Sequence, residues 1–326
     1  MMIALMMLSA LGALEASQVT QPTVTSPMCT MDAGSSAITI RLEGRAELTF
    51  TPDGRCLLIG EWSTGRLSVW DMGSGKCVRQ WQGNDDGITA MAVDATGHYI
   101  ACGGYKGSVA VYDISTGKSI ASFTGHLKRV NAVAIDIDES LVVSAGNDCM
   151  IYAWDITTSR ERTSFRADAP VRGFAQIGVD RFVGVLTPDL EKEPTGKADL
   201  VLFNDSLEVL SRRPASVGVV AKVVVRPDSK KILHLSAGRI VSADSKTLEE
   251  ERSMELPGQM GLAVSSYVAV GGAIGKSYGL RILTTDLEEV HFVPMRVGSL
   301  AASHAYIAAQ DDAEVVHIWN MQGFGT

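Results

Sequence analysis

Histidine is the residue type best suited to acid–base or metal chemistry, and this chain has six of them. They are scattered along the sequence, with no H-x-H or H-E-x-x-H spacing that would place two imidazoles on one face of a strand or helix. The five cysteines form no C-x-x-C pair either. The sequence therefore predicts no metal site, no catalytic residue and no cofactor.

A glycine-rich segment, Gly271 to Ser277, reads G-G-A-I-G-K-S and is close to a phosphate-binding loop. Such a loop needs four residues between its glycines, whereas Gly271 and Gly275 are separated by three. The following residues, Y-G-L-R-I-L, alternate like a strand, and a phosphate-binding loop would open a helix there. We interpret the segment as a turn between strands.

Composition limits the classes of partner. The chain has 326 residues, 46% of them hydrophobic, a net charge of −8, and no run of Lys or Arg longer than two. Nucleic acid or an anionic membrane as the main partner would require a clustered basic face, so both are disfavoured. An odd number of cysteines also argues against a disulfide framework.

A repeat organises the chain. The dipeptides Trp70-Asp71, Tyr112-Asp113 and Trp154-Asp155 follow one another at intervals of 42 residues, each at the end of short β-branched runs separated by turn residues. Weaker matches to this dipeptide follow at Phe203-Asn204, Asp244, Asp286 and Trp319-Asn320. From Asp71 to Asn320 there are 249 residues in six intervals, a mean of 41.5. This period predicts seven similar units.

The segment Gly125 to Asp155 resembles a blade of the WD-repeat β-propeller family, strongly over residues 36–165 and in degenerate form afterwards. The resemblance implies an all-β, seven-bladed propeller over residues 36–326. It also implies a structural tetrad of hydrogen-bonded side chains in the third blade. The expected members are His126, Ser144, Asp148 and Trp154.

The two ends of the propeller are expected to close the ring together. The run Ala37 to Leu42 alternates like a strand and has no blade of its own before it, while the chain stops seven residues after Trp319. We predict that this N-terminal strand completes the last blade and removes its exposed edge.

The N-terminus allows several interpretations. Residues 1–16 are apolar and too short to span a bilayer, and residues 17–35 are a linker rich in Ser, Thr, Gln and Pro. Residues 1–12 could be a cleaved signal that makes the protein exported or periplasmic. Otherwise the segment is a disordered or helical extension, or the true start is Met28 or Met31, and the protein is cytoplasmic.

A candidate partner-binding rim is predicted from Trp62 and Tyr105, which stand where the family has small polar turn residues, together with basic residues of loops on the same face. Aromatic and arginine side chains displayed together are typical of binding hot spots. The alternative for Trp62 is that it covers a neighbouring loop. The basic residues are Arg45, Lys128 and Arg129.

The resemblance implies a non-catalytic scaffold that binds protein partners on the propeller rim, as a monomeric domain within a complex. The alternative is an exported propeller with a ligand-binding or enzymatic site in its central channel, because fold does not determine function. Histidine or acidic side chains converging on the channel would favour the alternative.

Overall fold

Seven four-stranded antiparallel sheets form the structure, a computed structural model that describes residues 38–178, 180–188, 197–215, 220–226, 230–236, 239–255, 259–274 and 277–321. The 28 strands account for all the regular secondary structure in these ranges. The prediction of an all-β, seven-bladed propeller is confirmed. Residues 1–16, for which a signal is one interpretation, and the linker at residues 17–35 lie outside the described residues.

Each blade takes four strands, numbered along the chain from the innermost to the outermost. Blade one is β2(Ala46–Phe50), β3(Cys56–Glu61), β4(Arg66–Asp71), β5(Lys76–Gln82); blade two is β6(Ala90–Val93), β7(Tyr99–Gly103), β8(Ser108–Asp113), β9(Ser119–Thr124). Blade three is β10(Val130–Asp136), β11(Leu141–Gly146), β12(Met150–Asp155), β13(Arg160–Arg166); blade four is β14(Val171–Ile177), β15(Arg181–Leu186), β16(Asp199–Asn204), β17(Val209–Pro214). Blade five is β18(Val220–Val225), β19(Lys231–Ser236), β20(Arg239–Asp244), β21(Glu250–Glu255); blade six is β22(Gln259–Val264), β23(Val268–Ile274), β24(Ser277–Leu283), β25(Glu289–Val293). Blade seven is β26(Ser299–Ala302), β27(Tyr306–Gln310), β28(Val315–Asn320), with β1(Ile38–Arg41) outermost.

The hydrophobic core lies between neighbouring blades. One cluster joins Val111 and Phe123 of blade two to Val142 and Trp154 of blade three, and other clusters join further blade pairs in the same way. The outermost strands are mostly exposed, as in β5 and β13. Burial between blades therefore supplies most of the hydrophobic stabilisation of the ring.

The N-terminal strand closes the ring, as predicted. β1 pairs antiparallel with β28, with Ile38 opposite Ile318 and Ile40 opposite Val316. Ala37, the first residue of the predicted strand, lies outside the described residues. A second link joins blade seven to the start of blade one, because the buried Gln310 amide donates to the Gly44 carbonyl at 2.7 Å and its oxygen accepts from the Ala46 N–H at 3.0 Å.

The aspartates that mark the repeat cap the turn after each third strand. The Oδ1 atom of Asp71, Asp113, Asp155 and Asp244 accepts a hydrogen bond from a backbone N–H three residues later, at 2.7–2.8 Å. The Ser74 and Ser115 hydroxyls, followed by these backbone bonds, lower the pKa of Asp71 and Asp113. The backbone bonds lower the pKa of Asp244, and they lower that of Asp155 to about 2 with help from Arg162.

The mark assigned to Asp286 in blade six was wrong. The third strand of that blade ends at Leu283, and the turn cap is Thr284, whose hydroxyl accepts from the Glu288 N–H at 3.1 Å. A threonine can cap this turn as an aspartate does, so the aspartate signature disappears while the turn remains.

Candidate functional site

The four residues of the predicted tetrad lie together in blade three. His126 Nδ1 is 3.0 Å from both carboxylate oxygens of Asp148, and His126 Nε2 is 2.9 Å from Ser144 Oγ. The Trp154 indole N–H donates to the same Ser144 oxygen at 2.8 Å. His126, Ser144 and Trp154 are buried, so this chain of bonds satisfies polar groups within the blade and is structural.

Blade two makes a different network at the equivalent positions. Tyr112 takes the place of tryptophan, and its hydroxyl donates to Asn84 Oδ1 at 3.0 Å. The carboxylate that caps the turn between β7 and β8 comes from Asp86, in the loop before blade two, and not from the turn itself. Asp86 accepts from the Lys106 N–H and the Ser108 hydroxyl. The buried Cys102 thiol sits in the serine position of the repeat.

The central channel opens at one end into a cavity of about 390 Å³. Its wall comes from the innermost strands of blades one to five and seven and the residues just before them, together with Trp62 and Gln310. Among the described residues, five charged side chains line the cavity, and four of them are cations. They are Arg45, Arg129, Arg172, Lys222 and Glu47. We call this cavity the channel mouth.

Trp62 lies in the turn between β3 and β4, as predicted, and its side chain lines the channel mouth. Its indole N–H donates to Glu47 Oε1 at 3.1 Å, and the side chain is half-buried. The guanidinium carbon of Arg129 lies 4.4 Å from the centroid of the Trp62 ring, and that of Arg45 lies 5.4 Å from it. The cation–π contacts and the bond to Glu47 orient the Trp62 side chain towards the channel.

The charges in the channel mouth are only partly balanced. Burial raises the pKa of Glu47, although Lys222, the Trp62 N–H, Arg129 and Arg45 all favour its charged form. Burial also lowers the pKa of Arg129, which Glu47 opposes, while Arg172 and Arg45 lower it further by like-charge repulsion. Within the described ranges, the four cations form no ion pair, and the buried Nε atom of Arg129 has no hydrogen-bond partner.

Arg172 reaches the mouth because its strand has a β-bulge. Val171 pairs with Leu186 and Gly173 pairs with Val185, so Arg172 is the extra residue on β14. Asn131 is the extra residue of a similar bulge in β10, where its side chain donates to the Val171 carbonyl at 2.7 Å. A bulge changes the direction of a side chain, and the bulge in β14 leaves the exposed Arg172 at the cavity.

The rim beside the mouth carries two exposed apolar side chains. Tyr105 is 61% exposed and Leu127 is 87% exposed, and Lys128 is exposed as well. The turn that bears Tyr105 lies against the loop that bears Leu127. The contact is made at Gly107, which has φ 100° and lies so close to His126 that an added Cβ would be 2.2 Å from the His126 carbonyl oxygen. Tyr105, Leu127 and Lys128 form what we call the rim patch.

The WD domain, G-beta repeat family model matches the chain at residues 75–113 and 117–155. Each match starts next to the outermost strand of one blade and ends at the Asp that is the last residue of the third strand of the next. The chain carries WD40 repeats within a seven-bladed β-propeller. No curated protein matches it.

Other motifs of this WD-repeat propeller have structural explanations. Gly271 lies in β23, and Ile274 pairs with Ser277 of β24 in a hairpin, so a strand follows the glycine-rich segment as predicted. Cys56, Cys77, Cys102 and Cys149 are unpaired. In the part of the chain that the structure describes, no three His, Cys, Asp or Glu side chains are grouped to hold a metal ion. The same residues contain no helix long and apolar enough to cross a membrane.

Sequence reasoning missed four residues of this face: Glu47, Arg172, Lys222 and Leu127. The repeat register could have indicated one of them, because Arg172 follows Asn131 by 41 residues and both occupy the second position of an innermost strand. The hydrogen bond between Trp62 and Glu47 joins the turn after β3 to strand β2, and nothing in the local sequence signals it.

Proposed function

We propose that this WD-repeat propeller is a non-catalytic scaffold that binds a protein partner on the face around the channel mouth. The observation that carries the proposal is the rim patch, where Tyr105 and Leu127 are exposed beside Trp62 and Arg129. Aromatic and arginine side chains are enriched at binding hot spots, and large apolar side chains gain most from being covered. WD40 propellers generally act as interaction scaffolds, which is consistent with this face.

The lining of the channel mouth favours binding over catalysis. Among the described residues, its titratable side chains are four cations and the single carboxylate of Glu47. Proton transfer between an acid and a base works best with groups whose pKa lies near the working pH, which arginine and lysine normally do not provide. The alternative of an enzymatic site in the channel has no comparable observation in its favour.

The test is quantitative co-purification from the native host. The tagged wild-type chain is compared with Tyr105→Ala/Leu127→Ala, which removes the apolar part of the rim patch. The control is Val209→Ala/Leu210→Ala, which removes two exposed apolar side chains, 46% and 51% exposed, from the outermost strand of blade four.

We expect partners to be reduced about thirtyfold by the rim variant and unchanged by the control, because a hot-spot residue is typically worth ~2 kcal/mol or more. Thermal melting must show that both variants are folded. Equal recovery of partners with all three proteins would contradict the proposal.

A further inference from the structure

The channel mouth concentrates positive charge on a protein that is otherwise acidic. Arg45, Arg129, Arg172 and Lys222 line one cavity, against Glu47 alone among the described residues, while the whole chain has a net charge of −8. These cations are therefore a local feature and not part of a general basic surface. A cleft lined by one sign of charge attracts the opposite sign, over distances limited by salt screening.

The cations are also available for a ligand. In the described part of the chain none of them forms an ion pair, although exposed arginines elsewhere do, such as Arg162 with Asp155 at 2.8 Å. The Arg129 Nε atom is buried without a hydrogen-bond partner, and an unsatisfied buried donor carries a desolvation cost that an incoming acceptor would remove. Cation–π contacts with the Trp62 ring hold the guanidinium groups of Arg45 and Arg129 in the channel mouth.

We propose that the channel mouth binds a carboxylate side chain from an acidic segment of the partner protein. The inference rests on the proposed scaffold function and names the chemistry of its partner. Arg172 and Arg129 would donate to the carboxylate oxygens, since the planar guanidinium matches a carboxylate in bidentate geometry.

Two observations favour a peptide segment, one over a folded surface and the other over a free anion. The cavity of about 390 Å³ is at the lower end of the ~300–1,000 Å³ of ligand pockets, so it accepts a side chain and not a folded surface. Tyr105 and Leu127 are exposed beside it, and a free ion would leave them uncovered, whereas apolar residues flanking the acidic one would cover them.

The test measures binding of two blocked pentapeptides to the purified full chain by calorimetry: Glu-Leu-Glu-Leu-Glu and its counterpart Gln-Leu-Gln-Leu-Gln. Inorganic phosphate is titrated separately as the free-anion probe. The protein variants are Arg172→Gln and the control Arg79→Gln, which removes the same charge from an exposed position on β5. Arg172→Lys tests whether charge alone restores binding.

We expect the acidic peptide to bind, the neutral one to bind at least tenfold more weakly, and the affinity to fall as salt is raised. Arg172→Gln should weaken binding about tenfold or more, Arg172→Lys less, and Arg79→Gln not at all. Equal binding of both peptides would overturn the proposal. So would wild-type affinity in Arg172→Gln, or a peptide that binds no tighter than inorganic phosphate.

The same variants separate this inference from the proposed function. If Tyr105→Ala/Leu127→Ala loses the partner in co-purification while Arg172→Gln keeps it, the scaffold function stands and the acidic segment is wrong. If neither variant affects the partner, the proposed function fails as well.

Discussion

Ser144 is the centre of the hydrogen-bond chain in blade three. Its hydroxyl oxygen contacts both the His126 ring at 2.9 Å and the Trp154 indole N–H at 2.8 Å, and the residue is fully buried. Removing this hydroxyl would leave two buried polar groups without their partner, and such groups each carry a desolvation penalty.

We therefore expect Ser144→Ala to lower the free energy of unfolding by about 2 kcal/mol or more. The matched control is Ser68→Ala in blade one, where the hydroxyl accepts from Trp70 at 3.0 Å but the half-buried Trp70 can turn its N–H to water. Urea unfolding of both variants measures the difference. Equal losses would mean that the tetrad adds nothing beyond an ordinary hydrogen bond.

His234 is fully buried in β19, and neither ring nitrogen has a partner among the described residues. Burial lowers the pKa of His234 to about 4, with Glu250 opposing the shift. The folded protein therefore keeps this imidazole neutral at a pH where the unfolded chain, with a histidine pKa of about 6.5, binds a proton.

Because the unfolded state binds the extra proton, stability should fall as the pH falls from about 6.5 to about 4, by up to about 3 kcal/mol from this residue. His234→Leu should remove that part of the acid-side loss, whereas His304→Gln controls for loss of an exposed imidazole. Melting temperatures measured across this pH range provide the test. An unchanged pH profile in His234→Leu would show that His234 does not contribute to it.

At the residue scale, the sequence predicted those side chains whose neighbours are set by the repeat. The tetrad occupies fixed positions in a WD-repeat blade, so the family resemblance located its members, and the spacing of the repeat located the aspartates that cap the turns. Trp62 and Arg172 could not be placed in this way. The orientation of Trp62 depends on contacts with Glu47 and Arg129, and that of Arg172 depends on a bulge in β14.

At the scale of elements, strand β1 fastens the two ends of the ring. Ile40 is buried against Ile318 and Val316 of β28, whereas Thr39 on the opposite face is exposed. Closure could be predicted because the sequence supplies an outer strand with no blade of its own and a last blade with one strand missing. The turn cap in blade six could not be predicted, because Thr284 stands where the repeat period was counted from an aspartate.

We expect Ile40→Ala to destabilise the whole propeller by about 2–4 kcal/mol, as for other buried large-to-small substitutions, and Thr39→Ala to have little effect. Deleting residues 1–43 should act in the same direction and more strongly, because it exposes the edge of β28. Thermal unfolding monitored by circular dichroism measures these effects. A wild-type melting temperature after the deletion would contradict closure by β1.

At the scale of the whole molecule, the ring presents one face on which charge and apolar surface meet. Residues from six blades line the channel mouth, so its shape depends on the complete ring and not on any single repeat. The rim patch lies where a turn of blade two meets the loop between blades two and three, within the region that the family model matches. The most regular repeats therefore carry the surface that we propose for binding.

Site-directed photo-crosslinking locates the partner most directly. A benzophenone amino acid is placed at position 127 in one protein and at position 209, on the outermost strand of blade four, in another. Both positions are exposed, so neither substitution should disturb the fold. The account predicts that irradiation in the native host crosslinks a partner from position 127 and not from 209. Crosslinking from position 209 alone would contradict it.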